Sequence, residues 1–204
     1  MPGKKVKFTK GELKRQRDAQ ERYERYLPTL QLKQQQLQLE VRQTESLLYR
    51  RRAEIGRIKE DMSAWIGILG DPGVDLVPWV RPKRITTSTA NIAGVTIPTL
   101  KNVAFPAVDY DLFTTPLWVD SAVREIRNLV GLIAEADIIQ EQFKLLSREL
   151  QITMQRVNLF EKVKIPECKE NIRAIRIYLG DQDTNAVCRS KIAKRKIEQA
   201  VVAA

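Results

Sequence analysis

The chain has 204 residues, of which 29% are charged and only 6% aromatic, and its formal net charge is +10. It contains no histidine, so the commonest general base and the commonest transition-metal ligand are both missing. No apolar run approaches the roughly eighteen residues of a transmembrane helix, and Cys168 and Cys188 have neither a CxxC spacing nor a secretory context. These features exclude the usual metal and acid–base enzymes and favour a cytosolic protein with reduced thiols and long helices.

The first arm, residues 1–69, is predicted to be one long coiled-coil helix. From Leu13 to Leu69 an apolar residue returns every three or four positions without a break in phase, apart from polar exceptions such as Thr44 and Arg51. At the usual rise per residue this stretch would be about 85 Å long. A narrow stripe sustained over this length predicts a coiled coil rather than a helix of a globular bundle.

The middle segment, residues 70–118, has a different composition. It holds six of the nine prolines, and the sequence GDPG at 70–73 predicts a turn that ends the first arm. The stretch 84–105 is rich in β-branched residues and has Gly94 near its centre. This pattern predicts a short β-hairpin.

The second arm, residues 119–204, is predicted to be a coiled-coil helix with a basic tail. Its apolar stripe runs unbroken from Leu129 to Phe160 and resumes at Ile165, displaced by one residue, next to Pro166. Because a proline inside a helix removes a hydrogen bond and clashes with the preceding turn, the slip predicts a local irregularity. The residues expected to start this helix are Thr114 or Thr115 as its cap and Pro116 in its first turn.

Two arms of equal length around a compact segment predict a mainly α protein, an antiparallel two-helix coiled coil within one chain with a hairpin-containing cap. The alternative is that each arm pairs with another chain in a parallel dimer. Pairing Leu69 with Val119 would place Arg51 beside Asp137 and Pro28 beside the slip. The predicted seam, the stripe where the arms meet, includes Leu30, Leu37, Val41, Leu48, Ile55, Ile58, Leu132, Ile139, Phe143, Leu146, Leu150 and Val157.

The positive charge is concentrated at the two ends of the chain. Residues 1–17 contain seven Lys or Arg against one Glu, residues 189–204 contain five against one, and the remainder is balanced. Such a surface could bind nucleic acid phosphates, but no interleaved aromatics or base-reading motif accompany it, so a solvated or protein-facing surface is favoured. If the arms fold back on each other, one basic tip would gather Lys4, Lys5, Lys7, Lys10, Lys14, Arg15 and Arg17 beside Arg189, Lys191, Lys194, Arg195 and Lys196.

No stretch of the chain carries a catalytic or cofactor signature. The phosphate-binding pattern GxxxxGK[ST] is missing, and Gly70 and Gly73 are too few for a dinucleotide fingerprint. Asp109 and Asp111 would point to opposite faces of an extended segment. We therefore expect no catalytic residue, no cofactor and no metal, and a mechanical or binding role.

Three motifs resemble one protein family. NIAGVTIP at 91–98, PLWVD at 116–120 and RVNLFEKVKIP at 156–166 are similar to the D-type subunit of V-type ATPases. The stretch YLPTLQLK at 26–33 is similar to the bacterial branch that includes chlamydial members. The resemblance assigns the family motif and its kink to Arg156, Val157, Asn158, Glu161, Ile165 and Pro166.

This resemblance implies a non-catalytic rotor shaft in the central stalk, cytoplasmic and peripheral to the membrane. It implies that the shaft turns inside a ring of A-type and B-type subunits, with an F-type subunit alongside it and a membrane-proximal funnel subunit at its far end. Rotation would couple ATP hydrolysis or synthesis to transport of H⁺ or Na⁺, and neither the ion nor the direction is specified. The ring would enclose the termini and the basic tip, with Lys10, Lys14, Arg15, Arg189, Lys191 and Lys194.

The alternative from another class is a coiled-coil scaffold or nucleic-acid-binding protein with a basic tip. A generic scaffold has no need of a β-containing cap between two equal arms. The rotor interpretation is therefore preferred, with no nucleic acid as partner and no direct insertion into the membrane.

Overall fold

The computed structural model describes residues 6–70, 74–109 and 115–202. The chain is mainly α-helical with a two-stranded hairpin in its middle, which confirms the predicted fold class. Residues 71–73 of the turn predicted at 70–73 lie outside the described residues, as do the alternative cap Thr114 and the basic residues Lys4 and Lys5. The elements are α1 (Lys10–Ser63), a 3₁₀ turn (Ile66–Gly70), α2 (Val77–Val80), β1 (Arg84–Ile92), β2 (Val95–Ala104), α3 (Trp118–Leu159), a π-helical turn (Phe160–Lys164) and α4 (Ile165–Val202).

The chain divides into two compact units, each built from parts of both arms. The terminal unit comprises Met1–Leu32 and Thr153–Ala204, and the central unit comprises Lys33–Ile152. In the central unit Lys33 Nζ lies 3.0 Å from Glu149 Oε1, and Leu48 packs with Ala136 and Ile139. Because the partner's number falls along α3 as the residue number rises along α1, the two helices are antiparallel.

The partner of Arg51 differs from the predicted one. Its guanidinium lies 3.1 Å from Glu135 Oε1 and 2.9 Å from Glu54 Oε2, whereas Asp137 is exposed. The hydrogen bond to Glu54 and then the charge of Glu135 raise the pKa of Arg51. The prediction assumed a regular α-helix from Arg51 to Leu69, whereas α1 ends at Ser63 and Leu69 lies in the 3₁₀ turn.

The hairpin closes with a two-residue turn. Ala93 and Gly94 have φ angles of 51° and 80°, as a type I′ turn requires. The Gly94 N–H donates to Asn91 Oδ1 at 3.0 Å, which satisfies a backbone donor in the turn. β1 and β2 pair antiparallel along their length, with one irregularity after Thr86.

One face of the hairpin packs on the coiled coil of the central unit. Ile97 of β2 is 3% exposed and forms one cluster with Leu37 of α1 and Leu146 of α3. Gln142 Nε2 donates to the Pro98 carbonyl at 2.6 Å. The hairpin is therefore held by an apolar anchor beside a hydrogen bond from α3.

A second apolar cluster closes the end of the central unit around Leu76, Val119, Ala122 and Val123. Arg127 of α3 secures the neighbouring loop segments. Its guanidinium donates to the Trp79 carbonyl at 3.0 and 2.9 Å and to the Pro106 carbonyl at 2.7 Å, and lies 5.3 Å from the centre of the Phe105 ring. One side chain thus ties α2 and the segment after β2 to α3.

The slip in the second arm is a π-helical turn. The Ile165 N–H donates to the Phe160 carbonyl, five residues earlier instead of four, so the turn contains one additional residue. The buried positions Val157 and Ile165 accordingly lie eight residues apart. In a regular coiled coil, one seam step of three residues and one of four would place them about seven apart. The predicted displacement by one residue is confirmed.

The π-helical turn also accounts for Pro166. A proline in a regular helix lacks the N–H and its ring clashes with the carbonyl four residues earlier. Here the preceding turn is already widened, and the backbone enters α4 with helical angles at Ile165.

The residue of α1 that lies beside the slip is Tyr23 instead of the predicted Pro28. In the terminal unit the Tyr23 ring stacks on Phe160, with ring centres 5.0 Å apart. The arms of this unit therefore also meet in a register that differs from the predicted one.

We expect Pro166→Ala to change the free energy of unfolding by less than about 1 kcal/mol, because the π-helical turn already accommodates the proline ring. The matched control is Glu170→Pro, one turn later in regular α4, where a proline should cost about 3 kcal/mol or more. Urea denaturation followed by circular dichroism measures both changes. A gain of about 3 kcal/mol for Pro166→Ala would show that the proline is strained in the native helix.

Candidate interaction surfaces

None of the predicted seam residues is exposed. Leu37 and Leu146 are completely buried in the central unit, and they set the spacing between α1 and α3. The buried members are Leu37, Leu48, Ile139, Leu146 and Val157, and the half-buried members are Leu30, Val41, Ile55, Ile58, Leu132, Phe143 and Leu150.

Two threonines interrupt the apolar seam. The Thr44 hydroxyl donates to the Glu40 carbonyl at 2.8 Å, whereas the Thr153 hydroxyl is buried with no hydrogen-bond partner among the described residues. An unpaired buried hydroxyl costs about 1–3 kcal/mol. The terminal unit thus carries a destabilising polar position within its stripe.

The family-motif residues divide between the seam and the surface. Val157 and Ile165 are buried, whereas the others, Arg156, Asn158, Glu161 and Pro166, are exposed. Next to the π-helical turn, Lys164 Nζ pairs with Glu167 Oε2 at 3.0 Å, and this hydrogen bond to Glu167 raises the pKa of Lys164. Burial raises the pKa of the neighbouring Cys168 thiol, so this cysteine is a packing residue rather than a reactive one.

The structure does not gather the described basic residues into one tip. Phe8 stacks on Tyr178, with ring centres 5.1 Å apart, and Lys10 begins α1 close to this contact. Arg189 follows Tyr178 by eleven residues in the same helix, which is about 16 Å further along the axis. The C-terminal arm therefore extends past its last stacking contact with the N-terminal arm. Two separate exposed groups result: Lys10, Lys14 and Arg15 in one, and Arg189, Lys191 and Lys194 in the other.

The last part of α4 has no packing partner among the described residues. Every residue from 180 to 200 is exposed. The ion pair that the structure shows in this segment, Lys194 Nζ to Glu198 Oε1 at 3.8 Å, lies within the helix. Val187, Ile192 and Ile197 are 54%, 57% and 64% exposed. Each successive member is five residues on, a rotation of about 140°, so the three side chains lie on different sides of the helix. The sequence signal for this segment was the loss of the seam pattern after Leu179.

Apolar side chains are also exposed around the end cluster of the central unit. Leu117, Val77 and Ile66 are 95%, 62% and 55% exposed, although each is a neighbour in sequence of a residue in that cluster. On α1 of the same unit, Leu39 and Tyr49 are 57% and 76% exposed. Where such side chains form a contiguous patch, they are typical of protein contact sites.

Within residues 6–70, 74–109 and 115–202, no group of three or more His, Cys, Asp or Glu is arranged to hold a metal ion. Asp109 is exposed, and Asp111 lies outside the described residues. None of the described helices is both long and apolar enough to cross a membrane.

Comparison with known proteins agrees with the family resemblance of the three sequence motifs. The family model for the D-type subunit of ATP synthase matches residues 12–195. A protein of Borreliella burgdorferi, named as the D-type subunit of a V-type ATP synthase, is 42% identical over 193 residues, with 95% of each chain covered. Proteins of the same name from Chlamydia muridarum and Chlamydia trachomatis serovar L2 are each 34% identical over 196 residues, covering 95% of this chain and 97% of theirs. The chain belongs to the family of ATP synthase D-type subunits.

Proposed function

We propose that this protein is the central rotor shaft of a V-type ATPase or ATP synthase, a non-catalytic component on the cytoplasmic side of the membrane. It would transmit rotation between a ring that hydrolyses or makes ATP and a membrane sector that moves ions. The observation that carries this proposal is the helix from residue 180 to 200, which is exposed on every side.

A helix without an apolar face is not stabilised by packing on one neighbour. The apolar side chains of Val187, Ile192 and Ile197 lie on different sides, so a single groove in a partner would cover only one of them. A bore that surrounds the helix would contact all three. A ring of A-type and B-type subunits supplies such a bore, and the same helix could turn inside it because no side is uniquely apolar.

The charges near the ends suit rotation better than fixed binding. Lys191 and Arg189 are exposed, and Lys194 is held by one exposed pair at 3.8 Å, a geometry that contributes little to stability. Long cationic side chains with water around them can attract the ring without fixing one orientation. This supports the idea of a shaft that enters the ring and turns there.

Two other surfaces fit the remaining partners. The exposed apolar residues Leu117, Val77 and Ile66 at the end of the central unit would dock in the membrane-proximal funnel subunit. Leu39 and Tyr49 project from the side of α1, where the F-type subunit would lie along the shaft. ATP chemistry would belong to the ring, because this chain has no GxxxxGK[ST] phosphate-binding pattern.

The proposal is tested in one mixture that contains A-type and B-type ring subunits and a duplex DNA at physiological salt. We expect the protein to co-elute with the ring and the reconstituted complex to rotate a bead during ATP hydrolysis. A nucleic-acid-binding protein would bind the DNA instead of the ring. The logarithm of its affinity would fall linearly with the logarithm of the salt concentration, with a slope of about −0.9 per phosphate contact. The rotor assignment fails if the protein binds the DNA and the ring remains empty.

A further inference from the structure

The terminal unit contains a groove between α1 and α4 that is lined mainly by cationic side chains. Its volume is about 550 Å³, and it is open to solvent. Nothing in the seam pattern or in the basic ends predicted this groove. Its lining comprises Arg17 and Gln20 from α1 with Lys169, Ile172, Arg173, Arg176 and Ile177 from α4.

Three guanidinium groups in this groove are not neutralised within the described part of the chain. Lys169 Nζ lies 3.6 Å from Glu24 Oε1, but Arg17, Arg173 and Arg176 form no ion pair with any residue that the structure describes. Arg173 and Arg176 are neighbours on one helix face, where like charges three residues apart destabilise a helix. An anion from outside the chain would remove this repulsion.

The lining indicates which kind of anion fits. Ile172 is buried at 7% exposure and Ile177 is 57% exposed, so apolar surface alternates with the guanidinium groups. No aromatic side chain lines the groove, whereas single-stranded nucleic acid is held by stacking on aromatics. Carboxylates joined to short aliphatic stems match both the charge and the apolar surface, and a guanidinium binds a carboxylate through two parallel hydrogen bonds.

We propose that this arginine groove, defined by Arg17, Arg173 and Arg176, binds an acidic segment of a partner protein. This proposal rests on the proposed function: the acidic segment belongs to a component of the ring that surrounds this end of the chain. The guanidinium groups donate hydrogen bonds to the partner's Asp or Glu carboxylates, while the aliphatic parts of those side chains cover Ile177. This contact lies before the exposed helix from 180 to 200 and is chemically distinct from it, because it depends on carboxylates.

The first test reverses the charge with Arg173→Glu and Arg176→Glu together. The matched control is Arg57→Glu with Arg124→Glu, two exposed arginines of the central unit that form no ion pair among the described residues. With circular dichroism confirming that both double variants fold, the groove variant should bind the ring about tenfold more weakly, with a reduced dependence on salt, while the control is unchanged. Equal affinity for groove variant, control and unmodified protein would overturn the proposal.

A second variant keeps the charge in case the reversed one fails to fold. Arg173→Lys with Arg176→Lys places amines in the groove, and a zero-length carbodiimide joins amines to carboxylates in contact. In the complex with the ring and the F-type subunit, we expect positions 173 and 176 to be linked to an acidic peptide of a ring component. Links only to Glu21 or Glu24 of the same chain would contradict the proposal.

The outcomes separate this proposal from the rotor assignment. If the unmodified protein enters the ring and turns, yet both groove tests are negative, the arginine groove is not a docking site and the rotor assignment stands. If the unmodified protein does not enter the ring at all, the rotor assignment fails and the groove proposal fails with it. Links to the F-type subunit instead of the ring would also overturn the proposal, because the proposed partner belongs to the ring.

Discussion

Deletion of residues 180–204 is expected to lower the affinity of the protein for the ring by about 100-fold and to abolish sustained rotation. The deleted helix carries Val187, Ile192 and Ile197, all more than half exposed in the isolated chain. Completing the burial of an aliphatic side chain contributes on the order of 1 kcal/mol for each. Three such contacts amount to about 3 kcal/mol, which corresponds to a loss of roughly two orders of magnitude in affinity.

The same deletion should leave the remaining fold intact. Residues 180–200 bury no side chain in the chain itself, while the stacking of Phe8 on Tyr178 and the completely buried Ile175 both lie before the cut. The melting temperature should therefore change by no more than about 2 °C. Retained stability with lost ring binding would distinguish a contact surface from a structural element.

A shorter deletion provides the graded control. Removal of residues 197–204 takes away Ile197 and leaves Val187 and Ile192, so ring binding should fall only several-fold and rotation should persist in part. Binding is measured by titration of labelled protein with the ring, and rotation by a bead attached to the complex. Full rotation by the chain that ends at residue 179 would contradict the view that the bore holds this helix.

The substitution Leu146→Ala is expected to lower the free energy of unfolding by about 3 kcal/mol. Leu146 is completely buried and packs with Leu37 and Ile97, so it joins both helices and the hairpin. Removing its side chain beyond Cβ loses the transfer free energy and leaves a cavity, an effect of about 2–5 kcal/mol. For a chain of this size the melting temperature should fall by about 6–12 °C.

The control for this substitution is Leu39→Ala on α1 of the same unit. Leu39 is 57% exposed, and removal of an exposed leucine should change the free energy of unfolding by less than about 0.5 kcal/mol. Urea denaturation of both variants gives the comparison. Similar losses for both would show that the hairpin anchor around Leu146 does not stabilise the central unit.

The long helix of the first arm, the irregularity in the second arm and the hairpin were determined by the sequence itself. Each of these features depends on residues close together in the chain. The three-to-four spacing from Leu13 predicted one long helix, since apolar periodicity reports directly which face of a helix is buried. The displacement by one residue before Ile165 predicted an irregularity that is the π-helical turn. The β-branched stretch around Gly94 predicted the hairpin, since its turn requires positive φ.

The pairing register was decided only by the tertiary structure. Periodicity tells which face of each helix is buried, but a coiled coil can slide along its axis with a similar apolar seam. Counting from Leu69 gave Asp137 as the partner of Arg51, whereas the structure gives Glu135. The end of α1 at Ser63 and the 3₁₀ turn that follows have no signature in the apolar pattern.

The surfaces were also decided by the tertiary structure, for the same reason. The net charge of each end can be counted in the sequence, but the distance between the ends depends on where the two arms stop pairing. Because Phe8 meets Tyr178, the basic residues after Arg189 lie beyond the described start of the other arm instead of beside it. The arginine groove exists because the same register brings Arg17 next to Arg173 and Arg176, residues far apart in sequence whose proximity only packing can create.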